Sequence, residues 1–161
     1  MRQSGDLLPQ HLAIMVGLPQ SGKSTKAKTL RNGYFYSILC PDEFRQALHG
    51  HEFFGPAEGF VWASVELAAQ ALINNGHSVL IDACNQNRER REPWVRMARK
   101  NNLPLVAYPI YTSRDECAER AIANGKVYLE PVIQRMYEAS ESPTDAEDIV
   151  VVKGWGWDGS W

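Results

Sequence analysis

The sequence predicts an α/β fold, a single domain built on a parallel β-sheet. Short apolar segments with strand character alternate with longer segments of helical periodicity along the chain, which is typical of parallel strands joined by helices. The first apolar segment leads directly into a glycine-containing loop and then into a helix. The length of 161 residues is that of one ordinary domain, so we treat residues 1–161 as one unit.

Five segments have strand character. The first is a continuous apolar run, as expected for a strand buried on both faces of the sheet. The second is rich in aromatic and β-branched residues, and the third is apolar until it meets an acid, Asp82. The predicted strands lie at residues 12–16, 34–39, 78–82, 103–111 and 149–152.

Six segments favour helix. Asn32-Gly33 should end the first of them, and Asp42 should cap the second. The third has an apolar side formed by Phe60, Val61, Val65, Ala68, Ala69, Leu72 and Ile73. The predicted helices lie at residues 23–31, 42–49, 57–75, 88–100, 115–124 and 131–139.

The composition excludes several classes of protein. No apolar run approaches the ~20 residues of a membrane span, and the N-terminus lacks a secretory signal, so we expect a cytoplasmic protein that makes no membrane contact. The three cysteines form no metal-binding or disulfide pattern. A net charge of −2 limits any polynucleotide contact to a local basic patch. The tail at 153–161 holds three tryptophans among glycines, which either stack on a base or pack over the edge of the core.

A phosphate-binding motif follows the first strand. Residues 17–24 fit the pattern G-x-x-x-x-G-K-[ST], in which glycines bring backbone N–H groups close to phosphate oxygens at a helix N-terminus. Lys23 adds a positive charge at the β and γ phosphates, and Ser24 offers a hydroxyl to Mg²⁺. The residues predicted to bind ATP here are Gly17, Gln20, Ser21, Gly22, Lys23, Ser24 and Thr25.

A carboxylate closes the third predicted strand. In proteins with this phosphate-binding motif, an acid at the position of Asp82 holds Mg²⁺ directly or through water, so Ser24 and Asp82 are the candidate metal ligands. The alternative is that Asp82 caps a turn at the end of the strand.

Acids and arginines follow the second and third strands. Asp42 and Arg45 are three residues apart and share a helix face, so they either address one ligand together or form an intrahelical ion pair. Arg88, Arg90 and Arg91 begin a helix where positive charge opposes the dipole, which indicates an anionic ligand only weakly. Arg120 and Lys126 flank a later glycine turn, where they form either a mobile basic lid or a charged surface.

Several of these segments, in this order, resemble the kinase domain of bacteriophage polynucleotide kinase and its relatives. The resemblance runs from Leu12 to about Tyr137. The phosphate loop is common to many kinases, whereas the Asp-x-x-Arg piece at Asp42 and the Asp-x-x-Asn piece at Asp82, followed by Arg90-Arg91, are more specific. The segments that carry it are Gly17–Thr25, Tyr36–Gln46, Ile81–Arg91 and Glu116–Arg120.

The resemblance implies a P-loop NTPase fold, with about five parallel strands, helices on both faces and a short lid. It implies an ATP-dependent transfer of the γ-phosphoryl group to the 5′-hydroxyl end of a polynucleotide. Asp42 would be the general base on that hydroxyl, Arg45 would hold the neighbouring phosphate, and Arg120 would reach the phosphates of ATP. Asn85, Arg88 and Arg91 would also contact the acceptor, and the resemblance makes phage-encoded action in the host cytoplasm one possible setting.

Two departures from the family's pattern bear on the acceptor. The family carries a second lid arginine where this chain has Asn124. Lys126 is the nearby candidate to replace it, but a lysine ammonium is a point charge and lacks the planar, two-pronged donor set of a guanidinium. The phage prototype places its acid one residue later in the third strand, where this chain has Ala83. A kinase for another hydroxyl (on a hydroxymethylated base, a nucleoside or a small metabolite) is therefore the alternative. A nucleotide-dependent switch with little transfer chemistry is a third hypothesis, which the intact Asp42-x-x-Arg45 pair disfavours.

Overall fold

A computed structural model describes residues 9–50 and 53–153 and confirms the predicted α/β architecture. Residues 154–161, with most of the glycine- and tryptophan-rich tail, lie outside the described residues. The described strands are β1 (Leu12–Val16), β2 (Ser37–Leu39), β3 (Val79–Ile81), β4 (Leu105–Pro109) and β5 (Ile149–Val151). The described helices are α1 (Lys23–Tyr34), α2 (Pro41–His49), α3 (Glu58–Asn74), α4 (Arg88–Lys100), α5 (Arg114–Ala123) and α6 (Glu130–Glu138).

The strands form one parallel sheet in the order β2-β3-β1-β4-β5. In the central strand, Leu12 is level with Val79 of β3 and with Leu105 of β4. Because all the strands run in the same direction, their carboxyl ends meet along one edge of the sheet, where ligands bind in open α/β folds. The segments that follow β1, β2 and β3 at this edge carry most of the predicted site residues, and Arg120 lies in α5, which follows β4.

Helices cover both faces of the sheet, as predicted. Alternate residues of β1 point to opposite faces because the side-chain period of a strand is two. Leu12, Ile14 and Val16 pack with residues of α3 and α4, whereas Ala13 and Met15 pack with residues of α1. All five β1 side chains are fully buried, which explains the unbroken apolar run in the sequence. None of the helices within the described ranges is both long and apolar enough to cross a bilayer.

Some boundaries differ from the prediction. Helix α1 continues through Gly33 to Tyr34, and it ends where Phe35 adopts a left-handed conformation (φ 59°) and donates its N–H to the Arg31 carbonyl. The cap of α2 is Cys40, with Pro41 in the first turn, so the prediction that Asp42 caps this helix is wrong and its carboxylate is available for other contacts. Phe60 is 60% exposed and does not belong to the buried side of α3, which consists of Val61, Val65, Ala69 and Ile73.

Candidate active site

The loop between β1 and α1 has the backbone shape of a phosphate cradle. A Cβ atom on Gly17 would lie 2.7 Å from the Ile110 carbonyl oxygen, so only glycine fits at this position. Gly22 has φ 97°, and the non-glycine residue Gln20 also adopts a left-handed conformation, with φ 64°. Successive turns of this kind point backbone N–H groups into one concavity, which is the geometry that binds an anion.

The N-terminus of α1 is left open toward this concavity. No side chain caps the helix at Gly22, and its first turn holds no acid, so the first N–H groups and the positive end of the helix dipole are available to a ligand. Lys23 is buried, and its Nζ donates to the Leu18 carbonyl at 2.6 Å. A buried ammonium held by a neutral carbonyl fits a polyanion such as a nucleoside triphosphate.

Ser21 gives a second indication that the loop fits phosphate. Its hydroxyl is buried, and within the described ranges it has no hydrogen-bond partner. Thr112 donates its hydroxyl to the Ser21 carbonyl at 2.8 Å and so fixes this part of the loop. An orphaned buried hydroxyl is unfavourable unless a ligand completes its hydrogen bonding, and a phosphate oxygen would do so. Thr25 lies exposed in the first turn of α1.

Ser24 and Asp82 lie side by side at the carboxyl edge. The Ser24 hydroxyl and the charge of Lys23 both lie close enough to the Asp82 carboxylate to lower its pKa. Burial raises the pKa of Asp82 above its ordinary value, against the opposing effects of Ser24 and Lys23, and nearby Asp42 and Glu43 add to the rise. A buried carboxylate that is costly to ionise gains most from a bound cation.

These two oxygen donors fit Mg²⁺, which prefers hard oxygen ligands. Within the described ranges no group of three or more acidic, histidine or cysteine side chains forms a metal cage. A magnesium ion held here would therefore take its other ligands from water and from phosphate oxygens, as this ion commonly does in kinases.

Asp42 and Arg45 face the same edge from α2. The Arg45 Nη1 donates to Asp42 Oδ1 at 2.5 Å, and the Asp42 side chain is 72% exposed. The Arg45 side chain is only 12% exposed, because Glu58 and the Trp62 ring cover it. The intrahelical ion pair considered from the sequence therefore exists, and it leaves the carboxylate of Asp42 accessible to an acceptor.

Glu58, at the start of α3, binds Arg45 through both of its carboxylate oxygens. The Arg45 Nε donates to Oε1 and the Arg45 Nη2 donates to Oε2, each at 2.7 Å. The nearby Trp62 indole and the charge of Arg90 also lower the pKa of Glu58. The hydrogen bonds from Arg45 hold the pKa of Glu58 below its ordinary value, so this carboxylate is ionised at neutral pH.

Helix α5 brings Arg120 to the phosphate loop. The Arg120 Nη1 donates to the Gln20 carbonyl at 3.2 Å and lies 3.8 Å from the point where a Cβ of Gly22 would stand. Asn124 donates to the Gln20 side chain at 2.8 Å. Arg120, the predicted lid residue, and Asn124, which replaces the family's second lid arginine, thus both contact Gln20 of the loop.

Asn85 and Arg91 were predicted to bind substrate, and the structure corrects this assignment. The Arg91 side chain is fully buried, and it forms two 3.0 Å hydrogen bonds to the Glu147 carboxylate and further bonds to the Asn85 and Glu141 carbonyls. Asn85 is also buried; it donates to the Met15 carbonyl and accepts from the Trp94 indole. The polar groups of both side chains form hydrogen bonds inside the protein, so these residues support the structure around the site.

The other arginines of this segment are exposed. Arg88 donates its backbone N–H to Glu141, and its guanidinium has no partner in the part of the chain that the structure describes. Helical spacing could have distinguished Arg91 from them, because Arg91 shares the i, i+3, i+4, i+7 face with buried Trp94, Val95 and Ala98. No comparable pattern in the sequence indicates Glu58, which lies thirteen residues after Arg45 and in another helix.

The fold, together with the phosphate loop at the carboxyl edge of the sheet, defines a P-loop NTPase domain of the kinase type. A family model described as an AAA domain, AAA_33, matches residues 12–141. The match covers most of the chain, and the chain therefore belongs to this family.

Solved structures with the same fold include kinases with different acceptors. A chain of a Pnkp1/Rnl/Hen1 complex is 25% identical, with a TM-score of 0.64, and the alignment covers 73% of this chain and 41% of that one. A gluconokinase from Sinorhizobium meliloti is 18% identical, with a TM-score of 0.62 and coverage of 91% and 83%. The APS kinase CysC of Mycobacterium tuberculosis, in complex with AMPPNP and APS, is 19% identical, with a TM-score of 0.63 and coverage of 84% and 85%.

The alignment thus spans less than half of the Pnkp1/Rnl/Hen1 complex chain. The gluconokinase and the APS kinase, at these identities, show the fold alone.

Proposed function

We propose that this protein uses ATP and Mg²⁺ to phosphorylate a hydroxyl on nucleic acid, most of all the 5′-hydroxyl end of a polynucleotide. The observation that carries the proposal is the placement of Asp42. Its exposed carboxylate is held by Arg45, and it lies close enough to the Ser24–Asp82 pair to affect the pKa of Asp82. The similarity to a chain of a Pnkp1/Rnl/Hen1 complex supports a polynucleotide acceptor.

The proposed reaction uses these residues in distinct roles. Asp42 accepts the proton of the acceptor hydroxyl as that oxygen bonds to the γ-phosphorus, and the bond from phosphorus to the β–γ bridging oxygen breaks to leave ADP. Lys23 and Arg120 bind and balance the charge of the phosphates. Ser24 and Asp82 would hold Mg²⁺, which supplies charge neutralisation at the β and γ phosphates.

A smaller acceptor is the second candidate. The positive charge of Arg45 is already compensated by Asp42 and Glu58, and Asn124 stands where the family's second arginine would add positive charge. Both features favour a hydroxyl without neighbouring phosphates, as on a nucleoside, a hydroxymethylated base or a small metabolite.

Transfer of label from γ-labelled ATP with Mg²⁺ tests both candidates. The acceptors are 5′-hydroxyl DNA and RNA oligonucleotides, a hydroxymethyluracil duplex with blocked ends, and a nucleoside panel. We expect label on the 5′ ends. Label only on internal bases or on free nucleosides would favour the second candidate, and ATP hydrolysis that no acceptor stimulates would contradict both.

The variant Asp42→Asn tests the proposed base. We expect loss of transfer by on the order of 10²-fold to 10⁴-fold, because the amide cannot accept the proton. ATP binding, measured by calorimetry, should be unchanged, because Asp42 does not belong to the phosphate loop. Glu43→Gln is the matched control, since Glu43 is an exposed neighbour in the same helix turn. An active Asp42→Asn enzyme would end the assignment of the base.

A further inference from the structure

The contacts of Arg45 leave little of its charge for an acceptor. A planar guanidinium binds a phosphate best through two parallel N–H donors. In this protein, Nε and Nη2 already donate such a pair to Glu58, and Nη1 donates to Asp42. Glu58 thus takes the place at Arg45 that a phosphate oxygen pair would take.

The surroundings of Glu58 are those of an anion subsite. Arg45 of α2 donates two hydrogen bonds to its carboxylate, and the nearby Trp62 indole of α3 and the charge of Arg90 of α4 also favour its ionised form. The Glu58 side chain is 21% exposed, so the subsite is open to solvent on one side. Glu58 is the first residue of α3 and follows a short 3-10 turn at Gly55–Ala57. Its side chain can therefore leave Arg45 without disturbing the buried part of the helix.

We propose that Glu58 occupies the anion subsite of the acceptor pocket in the free protein and thereby determines acceptor specificity. An acceptor with a phosphate next to its reacting hydroxyl must displace this carboxylate from Arg45, whereas an acceptor without a phosphate need not. This inference rests on the proposed kinase function, and it assigns a role to a residue that contributes neither to the phosphate loop nor to proton transfer.

The charges near the pocket set the direction of the effect. Three carboxylates carry negative charge here: Asp42, Glu43 and Glu58. The positive charges that face them belong to Arg45 and Arg90. A phosphate that enters beside Glu58 is therefore repelled by the carboxylate. It also finds the N–H donors of Arg45 already hydrogen-bonded to Glu58 and Asp42. Removal of the Glu58 charge frees Arg45 and removes the repulsion, and both effects favour a phosphate-bearing acceptor.

The test compares two acceptors that differ by one phosphate, thymidine and thymidine 3′-monophosphate. Their binding to wild type, Glu58→Gln and Glu58→Ala is measured by calorimetry with ADP and Mg²⁺ present, and phosphoryl transfer is measured separately with ATP. Glu66→Gln is the matched control, because it removes one charge from the same helix and Glu66 does not contact Arg45. Thermal unfolding of each variant verifies that it is folded.

We expect Glu58→Gln and Glu58→Ala to tighten the binding of thymidine 3′-monophosphate by about tenfold or more, since like-charge contacts in a recognition site are costly. Thymidine binding should stay at the wild-type value, and Glu66→Gln should change neither affinity. An unchanged ratio of the two affinities, or weaker binding of both acceptors, would overturn the inference. If the ratio changes but neither wild type nor any variant transfers phosphate to either acceptor or to an oligonucleotide, competition between Glu58 and phosphate at Arg45 stands and the kinase proposal fails.

Discussion

At the scale of single residues, the site contains groups that are unfavourable in the free protein. Asp82 is 7% exposed, and burial raises the pKa of its carboxyl above the ordinary value. Ser21 has a buried hydroxyl without a partner in the described ranges, and Gln20 has a left-handed backbone. Such features persist where a ligand supplies the missing interactions. All three lie where the triphosphate and its metal ion are proposed to bind.

The variant Asp82→Asn should therefore stabilise the free protein while it impairs transfer. Because the folded-state pKa of Asp82 lies above its unfolded-state value, ionisation of this carboxyl costs the folded state free energy. The cost is absent at low pH and grows as pH rises through that pKa, so Asp82→Asn should raise the melting temperature more at pH 7.5 than at pH 4.5. Transfer should fall by on the order of 10²-fold or more, because the amide is a poor metal ligand.

Thermal unfolding at the two pH values, with ATP and Mg²⁺ absent, checks the stability half of this prediction. Asp115→Asn is the control, because Asp115 is an exposed acid in α5. A lower melting temperature for Asp82→Asn at pH 7.5 would show that the contacts with Ser24 and Lys23 outweigh the cost of burial.

At the scale of elements, the phosphate loop and α5 form one unit. Leu18 of the loop packs against Cys117 and Ala121 of α5 and against Ile133 of α6. The polar contacts of Arg120 and Asn124 with Gln20 lie beside this apolar contact. Arg120, the predicted lid residue, therefore already lies at the loop in the free protein, and its hydrogen bond to the Gln20 carbonyl can be exchanged for one to a phosphate oxygen.

Replacement of Arg120 by alanine tests this arrangement. In the proposed reaction the Arg120 guanidinium stabilises charge on the transferring phosphoryl group, so we expect kcat to fall by on the order of 10³-fold. The control is Arg114→Ala in the first turn of the same helix, where the side chain contacts Gln134 and Asp115 away from the loop. This variant should keep the wild-type kcat in a steady-state assay. Equal losses in the two variants would mean that the lid acts through the stability of α5.

At the scale of the whole molecule, the sequence predicted the sheet, the helices on both faces and the phosphate loop, because each depends on local pattern. The apolar run of β1 and the glycines of the phosphate loop can be recognised directly in the sequence. Helical spacing places Arg91 on the buried face of α4, but no local pattern reveals its partners Glu141 and Glu147, which are fifty or more residues away. The pairing of Arg45 with Glu58 was missed because it joins two helices whose packing no local spacing reveals.

The ion pair of Arg91 with Glu147 has consequences for the entire fold. Glu147 lies just before the edge strand β5, and Arg91 also binds the Glu141 carbonyl in the connection that leads there. The pair therefore fastens the last part of the described chain to α4. Both side chains are buried, with exposures of 0% and 6%, so loss of one partner leaves an uncompensated charge inside the protein.

The variant Arg91→Met should lower the free energy of unfolding by about 3–5 kcal/mol, measured by urea denaturation. The control Arg99→Met breaks an exposed pair between the same helix and Asp148, and it should cost at most about 1 kcal/mol. The double variant Arg91→Met/Glu147→Leu should recover most of the loss, because an apolar pair leaves no buried charge. Per folded molecule, Arg91→Met should transfer phosphate at the wild-type rate, since its side chain has no surface to offer an acceptor. A specific loss of acceptor binding in the folded variant would restore the role in substrate binding that the sequence predicted.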